Sequence, residues 1–181
     1  MRLYRQTLED FCLFNGQELT EEEFLNLRTA AGRMSAKMRA VRTVAASSVS
    51  KAELERRLIY KGEDPCHAKE AVGWMQDLHL IDDAETARQI VARCINKGYG
   101  RERAKQALFE KRIPKQYWDE ALADYPEQTE EIIAFLRNKL GASRDRKEIQ
   151  KATDALMRRG FTYSQIRKAL NDLDLSDVLE D

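Results

Sequence analysis

The sequence predicts an all-α fold built from tandem three-helix repeats behind a short helical N-terminal segment. Three observations predict it. Apolar residues recur at helical spacing without strand-like alternation, one layout returns at intervals of 50 and then 48 residues, and capping residues stand where each new helix should begin. Only 8 Gly and 3 Pro interrupt 181 residues, which favours helices over turn-rich architecture.

The N-terminal segment is assigned to residues 1–34, and its main helix starts at Thr20, which pairs with Glu23 as a capping box. Repeat 1 covers 35–83; Ser50 with Glu53 opens its second helix, and Asp64 followed by Pro65 opens its third. Repeat 2 covers 84–128. Asp82 with Glu85 caps its first helix, whose apolar stripe is Ala87, Ile90, Val91 and Cys94; Ala104, Ala107 and Leu108 mark the second and Trp118, Ala121 and Leu122 the third. Repeat 3 covers 129–173, with caps at Asp145 with Glu148 and Thr162 with Gln165, and an acidic tail fills 174–181.

The repeats share a register. Leu58, Leu108 and Leu156 are each followed three residues later by a base, Lys61, Lys111 and Arg159. Ten positions beyond Gly62, Arg112 and Gly160 come Val72, Leu122 and Leu170, each preceded by alanine at Ala71, Ala121 and Ala169. In "INKGYGRERAKQAL" the same logic makes Gly98 a left-handed helix end, Gly100 the N-cap of the next helix, and Tyr99 a staple against Ala104.

Several function classes are disfavoured. No uncharged run exceeds the eight residues Thr43 to Ser50, against the ~20 apolar residues of a membrane span. Glu9 and Asp10 interrupt what would be the apolar part of a secretion signal, so a cytoplasmic protein with no membrane partner is expected. Cys12, Cys66 and Cys94 are widely separated and lack a Cys-x-x-Cys pair, so neither a metal nor another cofactor is expected. The glycines around Tyr99 lack the Gly-Lys-Ser/Thr of a phosphate-binding loop, and no nucleophile–base arrangement emerges, so an enzyme is not expected. Trp74 and Trp118 lie at helical spacing with other apolar residues and read as core.

Thirty-one bases balance 31 acids, but the neutrality is an average over alternating blocks. Their net charges run −3 over residues 1–30, +6 over 31–62, −6 over 63–87, +7 over 88–115, −6 over 116–136, +7 over 137–168 and −5 over 169–181. The basic blocks cover the first two helices of each repeat and the acidic ones fall on or beside the third. If equivalent helices stack, bases align into a stripe, the footprint of a polyanion. A helix-turn-helix reading fails on the same ground: the helices that would enter a DNA groove, "PCHAKEAVGWMQD" and "IPKQYWDEALADY", are acidic. Some bases also sit near helix C-termini, where the helix dipole alone favours them by about 0.3–1 kcal/mol.

The stretches "VSKAELERRLIYKG", "LHLIDDAETARQIVARCINKGYGRERAKQALFEKRIPKQYWDEAL" and "IQKATDALMRRGFTYSQIRKAL" resemble the RecX family, bacterial regulators of the RecA recombinase, over roughly residues 15 to 172. "LIDD" and "KGYG" one helix apart, with the "KG" and "RRGF" corners in register, carry the specificity. "FNGQELTEEEF" resembles the junction that follows an extra N-terminal segment in longer members. The resemblance implies an elongated, curved helical array that binds the RecA filament on single-stranded DNA and restrains its ATPase, strand-exchange and co-protease activities, with no catalysis of its own. It places the family's basic face on Lys51, Arg56, Arg57 and Lys61, on Arg101, Arg103, Lys105, Lys111 and Arg112, and on Lys151, Arg158 and Arg159. The expected partner is therefore the RecA filament, with contact to the single-stranded DNA inside it left open. A monomer is expected, since no long uncharged seam remains for an obligate interface. An independent DNA-binding protein and a helical scaffold for protein partners are the alternatives.

Overall fold

Helix starts are where the sequence is most explicit, and the computed structural model, which describes residues 3–141 and 143–175, builds its helices from them. Among these residues all regular structure is helical. The acidic tail expected over 174–181 lies outside the described residues from 176 onward. The chain forms two compact units, residues 1–86 and 87–181.

The first unit holds α1 (Arg5–Asp10), α2 (Glu21–Ala46), α3 (Lys51–Tyr60) and α4 (Pro65–Asp77). The Thr20 capping box is complete: its hydroxyl accepts the Glu23 N–H at 3.3 Å, while the Glu23 carboxylate accepts the Thr20 N–H at 2.8 Å. From there α2 runs unbroken past residues 34 and 35, where the sequence places the border of repeat 1. The Ser50 hydroxyl accepts the Glu53 N–H at 3.2 Å. Asp64 accepts the N–H groups of Cys66 and His67 at 2.8 and 3.4 Å, with Pro65 at the first helical position where no N–H is needed. Ala36 and Ala40 of α2 meet Ala68 and Ala71 of α4, small residues that let two helix axes approach, and Leu54, Leu58, Val72 and Met75 fill the rest of the core. Trp74 is half-buried against it, with the Lys37 ammonium 5.1 Å from its ring centre.

α5 (Asp83–Asn96) follows, capped by Asp82, whose carboxylate accepts the Ala84 and Glu85 N–H groups at 2.8 and 3.3 Å. The neighbouring Asp83 is buried and accepts the Lys51 N–H at 2.9 Å. The two acids of "LIDD" thus serve the starts of two different helices.

The second unit continues with α6 (Arg101–Glu110), a 3₁₀ turn at Lys115–Tyr117 leading into α7 (Trp118–Ala121), then α8 (Thr129–Leu140), α9 (Arg146–Arg158) and α10 (Tyr163–Asn171). Repeat 2 therefore departs from the expected third helix: where repeat 1 has thirteen continuous residues in α4, it has a 3₁₀ turn and four α-helical residues. The cause is local. Pro114 stands at the N-cap position that Asp64 fills in repeat 1 and Thr162 in repeat 3, leaving that first turn without a side-chain cap. Pro126 then removes an N–H and turns Tyr125 out of helical geometry. The Tyr125 hydroxyl instead donates to the Tyr99 carbonyl at 2.6 Å. Two apolar clusters form, one around Ala87, Val91, Ala104, Leu108 and Leu122, the other around Ile132, Leu136, Ile149, Leu156 and Ile166.

Repeats 2 and 3 meet at a glycine corner. Gly98 ends α5 at φ +63° and Gly100 is the N-cap of α6, as the spacing predicts. Gly100 has no side chain to cap with, and the need is met by the end of α9: the Gly100 N–H donates to the Arg159 carbonyl at 2.9 Å and the Glu102 N–H to the Gly160 carbonyl at 3.2 Å. The approach requires two glycines. A Cβ on Gly100 would lie 2.2 Å from the Gly160 oxygen, and one on Gly160, at φ +90°, 2.2 Å from the Arg103 nitrogen. Gly100→Ala is therefore expected to destabilise the second unit by about 1–3 kcal/mol through backbone displacement. Gly73→Ala, mid-helix with open space around it, should stabilise by about 0.5–1 kcal/mol; urea denaturation of both variants checks the contrast.

Candidate functional site

The bases expected on one face are positioned by the helix ends just described. In the first unit Lys61 is the C-cap of α3 and Arg57 lies in its last turn. In the second, Lys111 is the C-cap of α6 and Arg159 the C-cap of α9. The base three residues after each buried leucine therefore occupies the same structural place three times.

Glu53 organises the first group. It is buried, and its two oxygens take the Arg56 guanidinium at 2.9 and 3.0 Å and the Arg57 Nε at 2.7 Å. The hydrogen bond from Arg56, then the Arg57 pairing, outweigh burial and hold the Glu53 carboxyl at about 2. Arg57 and Lys61 face an open cleft of about 310 Å³ that they share with Arg39, Arg42, Thr43 and Ser47 of the α2 end. Lys51 lies apart from that cleft, lining a separate cavity of about 490 Å³ with Asp77, His79 and Asp82.

In the second unit the glycine corner brings the start of α6 against the end of α9, so the backbones of Gly100, Glu102 and Arg103 meet those of Arg159 and Gly160. Arg101 and Arg158 are exposed. Arg103 pairs with Glu110 at 3.0 Å, Lys105 pairs with Glu102 at 2.7 Å, and the Arg159 guanidinium lies 4.7 Å from the Phe135 ring centre. Lys111 lines a cleft of about 240 Å³ with Arg93, Cys94, Lys97, Arg103 and Glu110. Burial pushes the Cys94 thiol up, which makes it a poor nucleophile there. Arg112 takes a left-handed backbone, φ +55°, at the position glycine fills in repeats 1 and 3, and borders an apolar groove with Phe109, Lys115 and Trp118. Trp118 is half-buried and donates its indole N–H to the Ile113 carbonyl at 3.0 Å. Lys151 stands exposed on α9.

Sequence reasoning missed Arg39 and Arg42. The signal was present, since both lie in the +6 block of residues 31–62, but selecting bases by their place on the middle helix of each repeat passes over the preceding helix. It also read Glu53 only as a capping residue, although the "ELERR" spacing puts bases three and four positions after it on one helix face.

Among the described residues no group of three or more His, Cys, Asp or Glu converges as a metal site, and no helix is long and apolar enough to cross a membrane. Glu53→Gln leaves two guanidinium groups without their buried counter-charge and should cost about 1–3 kcal/mol at neutral pH. Because the folded carboxyl sits at about 2, below its unfolded value of 4.5, this contribution is complete above pH ~4.5 and is lost as pH falls through ~2. The stability gap between the native chain and Glu53→Gln, followed by denaturant titration at successive pH values, should close over that window.

Comparison with known proteins adds an independent line. The RecX second three-helix domain matches residues 82–122 and the RecX third three-helix domain matches residues 127–170. The regulatory protein RecX of Vibrio cholerae serotype O1 (strain ATCC 39541) is 32% identical over 125 residues, covering 67% of this chain and 82% of the relative. That of Clostridioides difficile (strain 630) is 25% identical over 177 residues, covering 94% of this chain and 83% of the relative. A crystal structure of regulatory protein RecX superposes with a TM-score of 0.72 at 22% identity, covering 92% of this chain and 85% of that one. The RecX structure from Lactobacillus salivarius gives 0.69 at 24% identity, covering 81% and 99%.

Proposed function

This chain belongs to the RecX family of regulatory proteins, and from that premise we propose that it binds the RecA filament on single-stranded DNA and restrains its ATPase, recombinase and co-protease activities. It does so by occupying the filament, with no chemistry of its own. The supporting observation is the threefold placement of Lys61, Lys111 and Arg159 at equivalent middle-helix ends. A polymer that repeats along its length offers a tandem-repeat protein one contact per repeat, and phosphates or acidic side chains both complement such bases.

RecA ATPase on single-stranded DNA should fall when the protein is added at stoichiometric ratio; undiminished turnover would argue against the reading. Reversing the exposed start of α6 with Arg101→Glu and Lys105→Glu should weaken filament binding by about ten- to a hundredfold, given the salt-sensitive weight of each phosphate contact, while circular dichroism stays that of the native helices. Binding of DNA without RecA, titrated with salt, separates this from an autonomous DNA-binding protein, which predicts tight binding and a steep salt slope in the absence of RecA.

A further inference from the structure

We propose that the cleft between the α2 end and the last turn of α3 is a phosphate-binding site for the backbone of a nucleic acid. The proposal deepens the filament-binding reading and rests on it for the identity of the polyanion.

The lining of this cleft is basic. Arg39, Arg42, Arg57 and Lys61 border it together with Thr43 and Ser47, and no carboxylate does. Two of the arginines are fixed from behind. Arg39 donates its Nε to Glu63 at 2.6 Å and Arg57 donates its Nε to Glu53 at 2.7 Å, both carboxylates being only 8% exposed. Each pairing engages Nε and leaves the terminal nitrogens of that guanidinium without a partner among the described residues. Those are the groups that take a phosphate oxygen pair in fork geometry. Arg42 and Lys61 are exposed and form no ion pair with the described residues. Preorganised arginines beside exposed, unpaired cations suit a doubly hydrogen-bonded oxyanion.

Helix-end stabilisation does not account for the arrangement. It explains Arg57 and Lys61 at the end of α3, but not why Arg39 and Arg42 on another helix border the same space. The corresponding cleft of repeat 2 makes the contrast. There Glu110 joins the lining and pairs with Arg103 at 3.0 Å, while in repeat 3 Arg159 stacks on Phe135. Repeat 1 keeps its cleft clear of negative charge.

The experiment uses the full chain, a fluorescent oligothymidylate and, separately, inorganic pyrophosphate and ATP as competitors. Arg42→Glu with Lys61→Glu alters only exposed side chains, and its thermal melt should match that of the native chain. Its oligonucleotide affinity should fall at least tenfold, with the slope of log affinity against log salt reduced by about 1 to 2. Arg28→Glu with Lys69→Glu, an equal change of charge at other exposed positions, should lose under threefold. Equal losses in both variants, or unchanged affinity in the first, overturn the site, as does a native chain that binds no oligonucleotide. Displacement by micromolar pyrophosphate or ATP overturns the nucleic-acid assignment in favour of a small phosphate compound. RecA ATPase inhibition measured in parallel keeps the two ideas apart. If the cleft variant inhibits less yet binds oligonucleotide normally, the cleft meets an acidic protein surface and the phosphate site falls while filament binding stands.

Discussion

The second unit depends on one close approach, the backbone of Gly100 against that of Gly160. Two helix ends that would each leave backbone groups unsatisfied meet there and satisfy one another, the first N–H groups of α6 donating to the last carbonyls around α9. Contact at this distance excludes a Cβ on either residue. It is sequence-specific without any polar side chain, and it fixes the register of repeats 2 and 3 to the residue. Because Arg101 and Arg103 follow one glycine and Arg158 and Arg159 precede or border the other, the packing solution also gathers basic residues from two repeats.

The same economy removes one class of anion site. A helix N-terminus with open N–H groups attracts phosphate, yet α6 has its first N–H groups covered by α9 carbonyls, and α3 has the Lys51 N–H bound to the buried Asp83 carboxylate. The middle helices of repeats 1 and 2 therefore leave side chains, not open N–H groups, as their cationic groups, with Lys61 and Lys111 at their C-terminal ends, where a cation is already favoured. Under the proposed filament binding, such groups would make recognition tolerant of sequence, since guanidinium and ammonium groups on long stems follow a phosphate backbone or an acidic surface without reading bases.

How much of this was legible depended on the range of the interaction concerned. Caps are decided within four residues, and Thr20, Asp64, Asp82 and Thr162 were readable as helix starts without knowledge of the fold. The broken third helix of repeat 2 was also local in origin, in Pro114 where repeat 1 has the capping Asp64 and in Pro126, but helical apolar spacing at Trp118, Ala121 and Leu122 concealed it. The partner of Gly100 could not be read, because it lies 60 residues away and leaves no periodic trace. For the same reason the basic residues were legible as blocks but not as clusters: Arg39 and Arg57 are brought to one cleft only by the packing of α2 on α3 and by two carboxylates whose burial the sequence does not announce.

Internal ion pairs differ in how firmly they hold their bases, and burial of the acid makes the difference. Arg88 with Glu120, Arg103 with Glu110 and Lys105 with Glu102 are pairs of substantially exposed side chains. Such pairs contribute about 0–1 kcal/mol each, less than the about 1.5–3 kcal/mol of a charge-assisted hydrogen bond to a partner, so these bases can exchange one anion for another on binding. Glu53 and Glu63 are different because they are buried, and stripping either of its arginine would strand a charge away from water. Those pairs persist, and their effect is to aim Arg39 and Arg57 outward. The exposed carboxylates thus act as replaceable counter-ions and the buried ones as fixed supports, so burial of the acid decides which bases can change counter-ion and which are held in place.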